Sequence, residues 1–224
     1  MQIKERLPKE TSREYAYRII KDNIVRLELE PGSVVSENAL SAELGLSRTP
    51  VREALIELSK TQIVEIYPQK GSIISLIDWE HVEEAQFLRE VLEMAVVKQV
   101  CEVATDEDLK ILSENLLLQE LYLKSKNTDK LLEIDNEFHK GLFMINKKPH
   151  IYNLMNSMTT HFDRVRTLCL TAVKDIKVVQ DHKDILTAIQ KRDPEEAVHM
   201  MKRHLTRYKV DENEIRNKYG KFFK

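Results

Sequence analysis

The sequence predicts a mainly α-helical protein, with an N-terminal winged helix-turn-helix over residues 1–77 and an all-α helical bundle over residues 78–224. Apolar residues recur at helical spacing along most of the chain. Only 5 glycines and 6 prolines interrupt it, too few for a sandwich or barrel rich in tight turns. The two β-like runs lie next to each other, both before residue 78.

The elements follow in order. Residues 12–27, SREYAYRIIKDNIVRL, place Ala16, Ile20, Ile24 and Leu27 on one helical face with Ile19 beside them, and Ser12 is the expected cap. Glu30-Pro31-Gly32 breaks that helix. A short helix over 37–44 turns Leu40 and Leu44 inward, and Gly45-Leu46-Ser47 makes a tight turn into a second helix over 48–60. Pro50 is tolerated there because N–H groups of a first helical turn have no intrahelical partner. Val51, Leu55 and Leu58 face inward. The runs 63–67 and 72–76, separated by Pro68-Gln69-Lys70-Gly71, predict a hairpin. Beyond residue 78 the β signal stops, and helices are predicted over roughly 80–103, 106–125, 128–146, 149–172, 175–191 and 194–217. The tail from Arg216 to Lys221 reads as a frayed helix end, with contact to DNA as the alternative, and Trp79 as a packing residue.

Composition limits the function classes. With 42% hydrophobic and 32% charged residues, the chain is of the globular kind. No apolar run is long enough for a membrane span, and MQIKERLPKE is too polar for a signal peptide, so a cytoplasmic location is expected. Cys101 and Cys169 lack motif spacing and read as reduced thiols. The net charge of −2 does not advertise nucleic-acid binding, and residues 1–77 hold 11 basic and 11 acidic side chains. A DNA role therefore rests on where charges sit.

They sit at the start of the second helix of the helix-turn-helix, the part that enters the major groove. Arg48, Thr49 and Arg52 lie there, with the two arginines one turn apart. An arginine can pair with guanine O6 and N7 or grip a phosphate. Lys70 and Gly71 mark the wing tip. Two arginines alone would be a solvated surface; the turn before them and the wing after them, at the right spacing, favour DNA.

GLSRTPVREAL (45–55), with EPGSVVSENALSAEL before it and VEIYPQKGSIIS after it, resembles the signature of the GntR family of bacterial regulators over nearly all of residues 12–77. The resemblance implies a repressor that binds operator DNA, and a homodimer is expected because a helix-turn-helix reader usually needs two half-sites. It implies base contacts from Arg48 and Arg52, a wing contact from Gly71, and phosphate contacts from Ser47 and Thr49. Many members have arginine where this chain has Asn38, so one charge-assisted phosphate contact is absent.

Three of the seven histidines interrupt apolar stripes. In 128–146 the stripe runs Leu131, Ile134, Asp135, Phe138, His139, Leu142, which turns Asp135 and His139 inward one turn apart. His182 shares a face with Val178, Ile185, Leu186 and Ile189, and His204 one with Ala197, Met201, Leu205 and Tyr208. His199 falls off that face, and His150 and His161 read as ordinary polar residues. Four inward polar side chains are costly unless satisfied. A buried His–Asp hydrogen-bond network would satisfy them; so would a divalent transition metal such as zinc, nickel or manganese, which suits neutral imidazoles and a carboxylate.

DNEFH (135–139), together with HKDILTAIQKRDPEEAVHMMKRHL (182–205), resembles the FCD ligand-binding domain, which marks the FadR subfamily of GntR regulators. The resemblance places four metal ligands on Asp135, His139, His182 and His204, and matches Arg89 and Glu93 in LREVLE to the domain's opening helix. It implies a small organic acid as effector, gripped by the metal and by arginines. Arg89 and Arg166 are the expected clamps, with Arg164 a weaker alternative because it points away from the apolar stripe. Two other functions fit parts of the pattern. The metal itself could be the effector. A helical metalloenzyme could use open metal positions, but the chain has no HExxH, no paired Glu-x-x-His set and no inward general base, and an enzyme leaves the winged helix unexplained.

Overall fold

The computed structural model describes residues 1–67, 71–172 and 177–224, apart from the side chains of residues 172 and 210. It comprises two units: Met1–Trp79 together with Tyr219–Lys224, and Glu80–Lys218.

In the first unit, α1 (Ser12–Val25) opens on a capping box in which Thr11 Oγ1 accepts from the Glu14 N–H and the Glu14 carboxylate accepts from the Thr11 N–H. The cap is therefore Thr11 and not Ser12, because the glutamate that closes the box lies three residues after Thr11. Leu27 adopts a positive φ of 62° just past the end of α1 and is not part of its face. The helix α2 (Glu37–Leu44) is capped by Ser36 and stops at Gly45, whose φ of 65° puts it in the left-handed region that glycine enters without strain. That residue makes the sharp turn into α3 (Arg48–Lys60). Ile19, Ile20 and Ile24 of α1 pack with Val51, Leu55 and Leu58 of α3 in one core, completed by Leu40, Leu44, Ile63, Val64 and Ile74.

The sheet has one more strand than the sequence predicts. The strands β1 (Val34–Val35), β2 (Val64–Tyr67) and β3 (Gly71–Ile74) are antiparallel in the order β1-β3-β2. A two-residue strand leaves no periodicity to read. Gly71 has a φ of 98°, and a Cβ on it would lie 3.2 Å from the Val35 carbonyl oxygen. Glycine is what lets β3 approach β1 here.

The C-terminus belongs to this unit and is not a frayed end. The Ile77 N–H donates to the Phe222 carbonyl at 2.7 Å and the Lys224 N–H to the Ile77 carbonyl at 3.2 Å, giving a parallel bridge between Ile77 and Phe223. Phe222 and Phe223 are buried, and the Trp79 and Phe223 ring centroids lie 5.8 Å apart. Lys224 pairs with Asp78 at 2.9 Å. Two adjacent phenylalanines that must leave water supply the reason.

The second unit contains α4 (Trp79–Val103, its first residue excepted), α5 (Asp106–Lys124), α6 (Thr128–Ile145), α7 (Pro149–Met158), α8 (Thr160–Ala172), α9 (Val178–Gln190), α10 (Pro194–Thr206) and α11 (Tyr208–Tyr219, to Lys218). Two helices read as continuous are each divided. At Thr159 the chain restarts, with the Thr159 hydroxyl donating to the Asp163 carboxylate at 3.1 Å, a local bond that competes with the helix ladder. At Arg207 the backbone stays in the right-handed helical region, so α10 leads directly into α11. The core joins Val96, Val97 and Val100 of α4, Leu112 of α5, Phe138, Leu142 and Phe143 of α6, Ile185 and Ile189 of α9, and Met201 of α10. Among the described residues no helix is long and apolar enough to cross a membrane.

Replacing Phe222 or Phe223 by alanine is expected to lower the stability of the first unit by about 3 kcal/mol. Guanidinium unfolding followed by fluorescence of Trp79, the sole tryptophan, reads this out. An unchanged midpoint in the double variant would contradict the packing described.

Candidate functional site

The first candidate surface is the start of α3. Arg48, Thr49 and Arg52 are all exposed. Arg52 is held only at 4.0 Å from Glu37, so its guanidinium is free to be taken over by a stronger acceptor. Ser47 stands at the N-cap without using its side chain there, which leaves its hydroxyl beside the positive end of the helix. Gly71 sits at the base of the wing, paired with Tyr67. Lys70 lies outside the described residues.

The second candidate lies inside the helical unit. Asp135 and His139 come from α6, His182 from α9 and His204 from α10, and their ligand atoms all lie within 4.8 Å of one another. His204 Nε2 is 3.1 Å from His139 Nε2 and 3.2 Å from His182 Nε2. The Asp135 carboxylate oxygens stand 3.8 Å from His139 Nε2 and 3.7 Å from His182 Nε2.

The partners of the opposite ring nitrogens decide what this cluster can do. His139 Nδ1 bonds the Glu93 carboxylate, which can only accept, so Nδ1 carries the proton. His182 Nδ1 donates to Gln119 Oε1 at 2.8 Å. His204 Nδ1 faces Asp181 Oδ2 at 3.8 Å. Burial, opposed by Glu93, lowers the His139 pKa; burial, helped by His204, takes that of His182 well below 6.5. Both shifts favour the neutral ring, and the two Nε2 atoms point at the same place. A proton on His204 Nε2 can satisfy one of them but not both. Two nitrogens bound to one zinc-like ion at about 2.1 Å would be roughly 3.0–3.4 Å apart, and the nitrogen separations around His204 fall in that range. The four residues fit a divalent transition metal.

The supporting charges fit as well. Burial alone would raise the Asp135 carboxyl, but the Arg166 guanidinium and then the histidines hold it well below the usual carboxylate range. Glu93 is treated the same way by Arg89, which donates from Nε at 2.6 Å, and by His139. Arg207 and Arg203 bond Asp181.

A cavity of about 270 Å³ opens beside the cluster, and both Asp135 and His204 line it. Leu132, Phe162, Leu170, Val178 and Leu205 form apolar wall, while Arg89, Arg166, Lys177 and Arg207 bring positive charge. Arg166 bonds Asp135, Asn136 and Asp163, so it bridges the cluster and the cavity. Arg89 uses Nε for Glu93 and lies 5.3 Å from the Phe162 ring centre. Arg164 is fully buried with Nη2 2.7 Å from His161 Nδ1, and it does not line the cavity. Burial pushes the Cys169 thiol up to about 12, which leaves it a poor nucleophile.

Reading the sequence located all four cluster residues and two of the three cavity arginines, Arg89 and Arg166, but missed Arg207, Gln119 and Asp181. Gln119 stands beside Glu120 in LLLQEL, a weak signal. Asp181 falls at i+3 from Val178 and four residues before Ile185, on the stripe of His182, so its burial was open to the same periodicity that found Asp135.

Residues 12–74 match the family described as bacterial regulatory proteins, gntR family, and residues 84–207 match the FCD domain. The HTH-type transcriptional repressor RspR of Escherichia coli K12 is 30% identical over 217 residues, which are 96% of this chain and 95% of that protein. The gluconate operon transcriptional repressor of Bacillus licheniformis is 26% identical over 74% of this chain and 70% of its own. Among solved structures, E. coli McbR/YncC superposes with a TM-score of 0.80 at 18% identity, covering 93% of this chain and 99% of that one.

Two outcomes test the cluster. Gln119→Leu removes the acceptor that orients His182 and is expected to weaken zinc binding by about 10–100-fold in a chelator competition, with helical circular dichroism retained. Unchanged affinity would contradict the assigned role. In the metal-free chain, unfolded imidazoles take up protons near 6.5 that native His139 and His182 refuse, so stability is lost as pH falls below that value. Glu93 and Asp135, both lowered in the native state, add a further loss at more acid pH. Urea midpoints are expected to decrease steadily from pH 8 to pH 5; a rise would refute the sign.

Proposed function

The chain belongs to the GntR family of bacterial regulatory proteins and carries an FCD domain, and from that premise we propose that it is a cytoplasmic, homodimeric repressor of the FadR subfamily whose operator affinity is set by a small organic acid bound beside a metal. The families and named relatives are DNA-binding transcriptional regulators. The observation that carries the finer reading is the convergence of three Nε2 atoms and Asp135 at the wall of a cationic, apolar-lined cavity.

Asp135, His139, His182 and His204 would hold a zinc, nickel or manganese ion, which supplies a Lewis-acidic anchor for a carboxylate oxygen when bound. The protein's own residues do the rest. Glu93, Gln119 and Asp181 set the tautomers or orientation of the rings. Arg166 shares its charge between Asp135 and the cavity, so a carboxylate that enters there competes with Asp135 for it. Arg89, fixed through Nε, presents its remaining guanidinium nitrogens. Phe162, Leu132 and Leu205 exclude water and strengthen these contacts.

DNA recognition uses Arg48 and Arg52 for base edges, and Ser47, Thr49 and the wing at Lys70 and Gly71 for the backbone. Two half-sites require two copies. Exposed apolar residues on α4 (Phe87 and Val91) and at i, i+3 and i+7 on α7 (Ile151, Leu154 and Met158) offer surface for a second copy. Control follows if the effector binds the DNA-competent and DNA-incompetent dimers with different affinity.

Arg48→Ala and Arg52→Ala are each expected to cost about 1–3 kcal/mol in operator binding by fluorescence anisotropy, with less discrimination against unrelated DNA. Adding a panel of organic acids to zinc-loaded protein should shift operator affinity for at least one. Zinc alone shifting affinity would instead make the metal the effector, and no dependence on either would overturn the sensing role.

A further inference from the structure

The cavity has two chemically different ends. His204, Tyr208 and Asp211 all line it, at i, i+4 and i+7 along α10 and α11. Arg207 between the helices has φ −58° and ψ −36°, so the helical path is continuous. Seven residues at 1.5 Å each put Asp211 about 10 Å along the axis from His204. The near end holds Asp135 and His204 of the cluster with Arg89 and Arg166, and Arg207 and Lys177 also line the cavity. At the far end stands a carboxylate.

Asp211 has neither a hydrogen bond nor an ion pair among the described residues. Arg207, one turn before it on the same helix, is committed to Asp181 through both Nε and Nη2. Burial, with Glu214, raises the Asp211 pKa against the opposing pull of Arg207, as expected for a partly desolvated carboxylate that no ion pair holds. A simple apolar acid would leave that group desolvated and unmatched, at a cost. A second carboxylate at this end would be repelled by it.

We propose that the effector is an elongated acid with a hydrogen-bond-donating group, ammonium or hydroxyl, at the end remote from its carboxylate, and that Asp211 accepts from that group while the cluster and its arginines hold the carboxylate. The inference rests on the reading of this cavity as the effector site. It gives a role to an acid that no ion pair holds, in a cavity that also carries arginines and the apolar side chains of Leu132, Phe162, Leu170 and Val178.

The test uses the zinc-loaded full chain and four acids of matched length: hexanoate, 6-hydroxyhexanoate, 6-aminohexanoate and adipate. Isothermal titration calorimetry is expected to show the amino acid, the hydroxy acid or both binding at least about tenfold tighter than hexanoate, as a hydrogen bond to a charged group provides, with adipate weaker than these. Which of the two is tighter identifies the donor. In Asp211→Asn the preference over hexanoate is expected to collapse to less than about threefold, and Asp211→Lys should turn the preference toward adipate. Four equal affinities, or adipate binding best to the natural chain, would overturn the proposal and leave the carboxylate site standing. If none of the four binds, the effector reading of the cavity falls, and the proposal with it.

Discussion

Three imidazole nitrogens that face one another without a proton to share among all of them impose the constraint on which the helical unit is organised. Lone pairs repel, and burial removes the water that would separate them. Two of the opposite nitrogens are hydrogen-bonded, that of His139 to Glu93 of α4 and that of His182 to Gln119 of α5, while His204 Nδ1 faces Asp181 of α9 at 3.8 Å without a hydrogen bond among the described residues. The carboxylates need cations in turn: Arg89 for Glu93, Arg166 for Asp135, and Arg203 and Arg207 for Asp181. The cluster thus draws on α4, α5, α6, α8, α9, α10 and the junction before α11. A buried polar network of this extent is stable only when every member is matched. Within the ring itself, a divalent cation would match the lone pairs.

The same wiring gives the cavity its character. Arg166 and Asp135 belong both to the cluster and to the cavity wall, so filling the cavity with an anion changes the electrostatics of the cluster, and the reverse holds. The helix that contributes His204 continues into α11, which ends where the chain re-enters the first unit at Tyr219. The chain therefore passes between its units twice, after Trp79 and after Lys218, and residues next to these two crossings are bonded together through Ile77, Phe222 and Lys224.

Much of this was legible in the sequence, for identifiable reasons. The helix-turn-helix announced itself through Gly45 and the residues around it, because a left-handed turn and a following helix start demand particular side chains locally. Asp135, His139, His182 and His204 were legible because polar residues in an apolar stripe violate a strong rule. What failed to show was non-local. Nothing near Phe222 and Phe223 reveals that their burial comes from Ile77 and Trp79, more than 140 positions earlier. Gln119 matters only through a histidine on another helix, so its own neighbours carry no signal; Asp181 interrupts the apolar stripe of α9, but its partners His204 and Arg207 lie beyond that helix. Thr159 and Thr11 act through single side-chain bonds that shift a helix boundary by one residue or divide a helix, below the resolution of periodicity.

The most direct measurement of the central claim is the tautomeric state of the three rings in zinc-loaded protein, read from imidazole nitrogen and proton correlations in a nitrogen-15-labelled sample. The account predicts that His139, His182 and His204 each carry their proton on Nδ1, with all three Nε2 nitrogens at metal-bound shifts. Nε2 protonation at two of the three, in protein that has been offered zinc, nickel and manganese in turn, would contradict it.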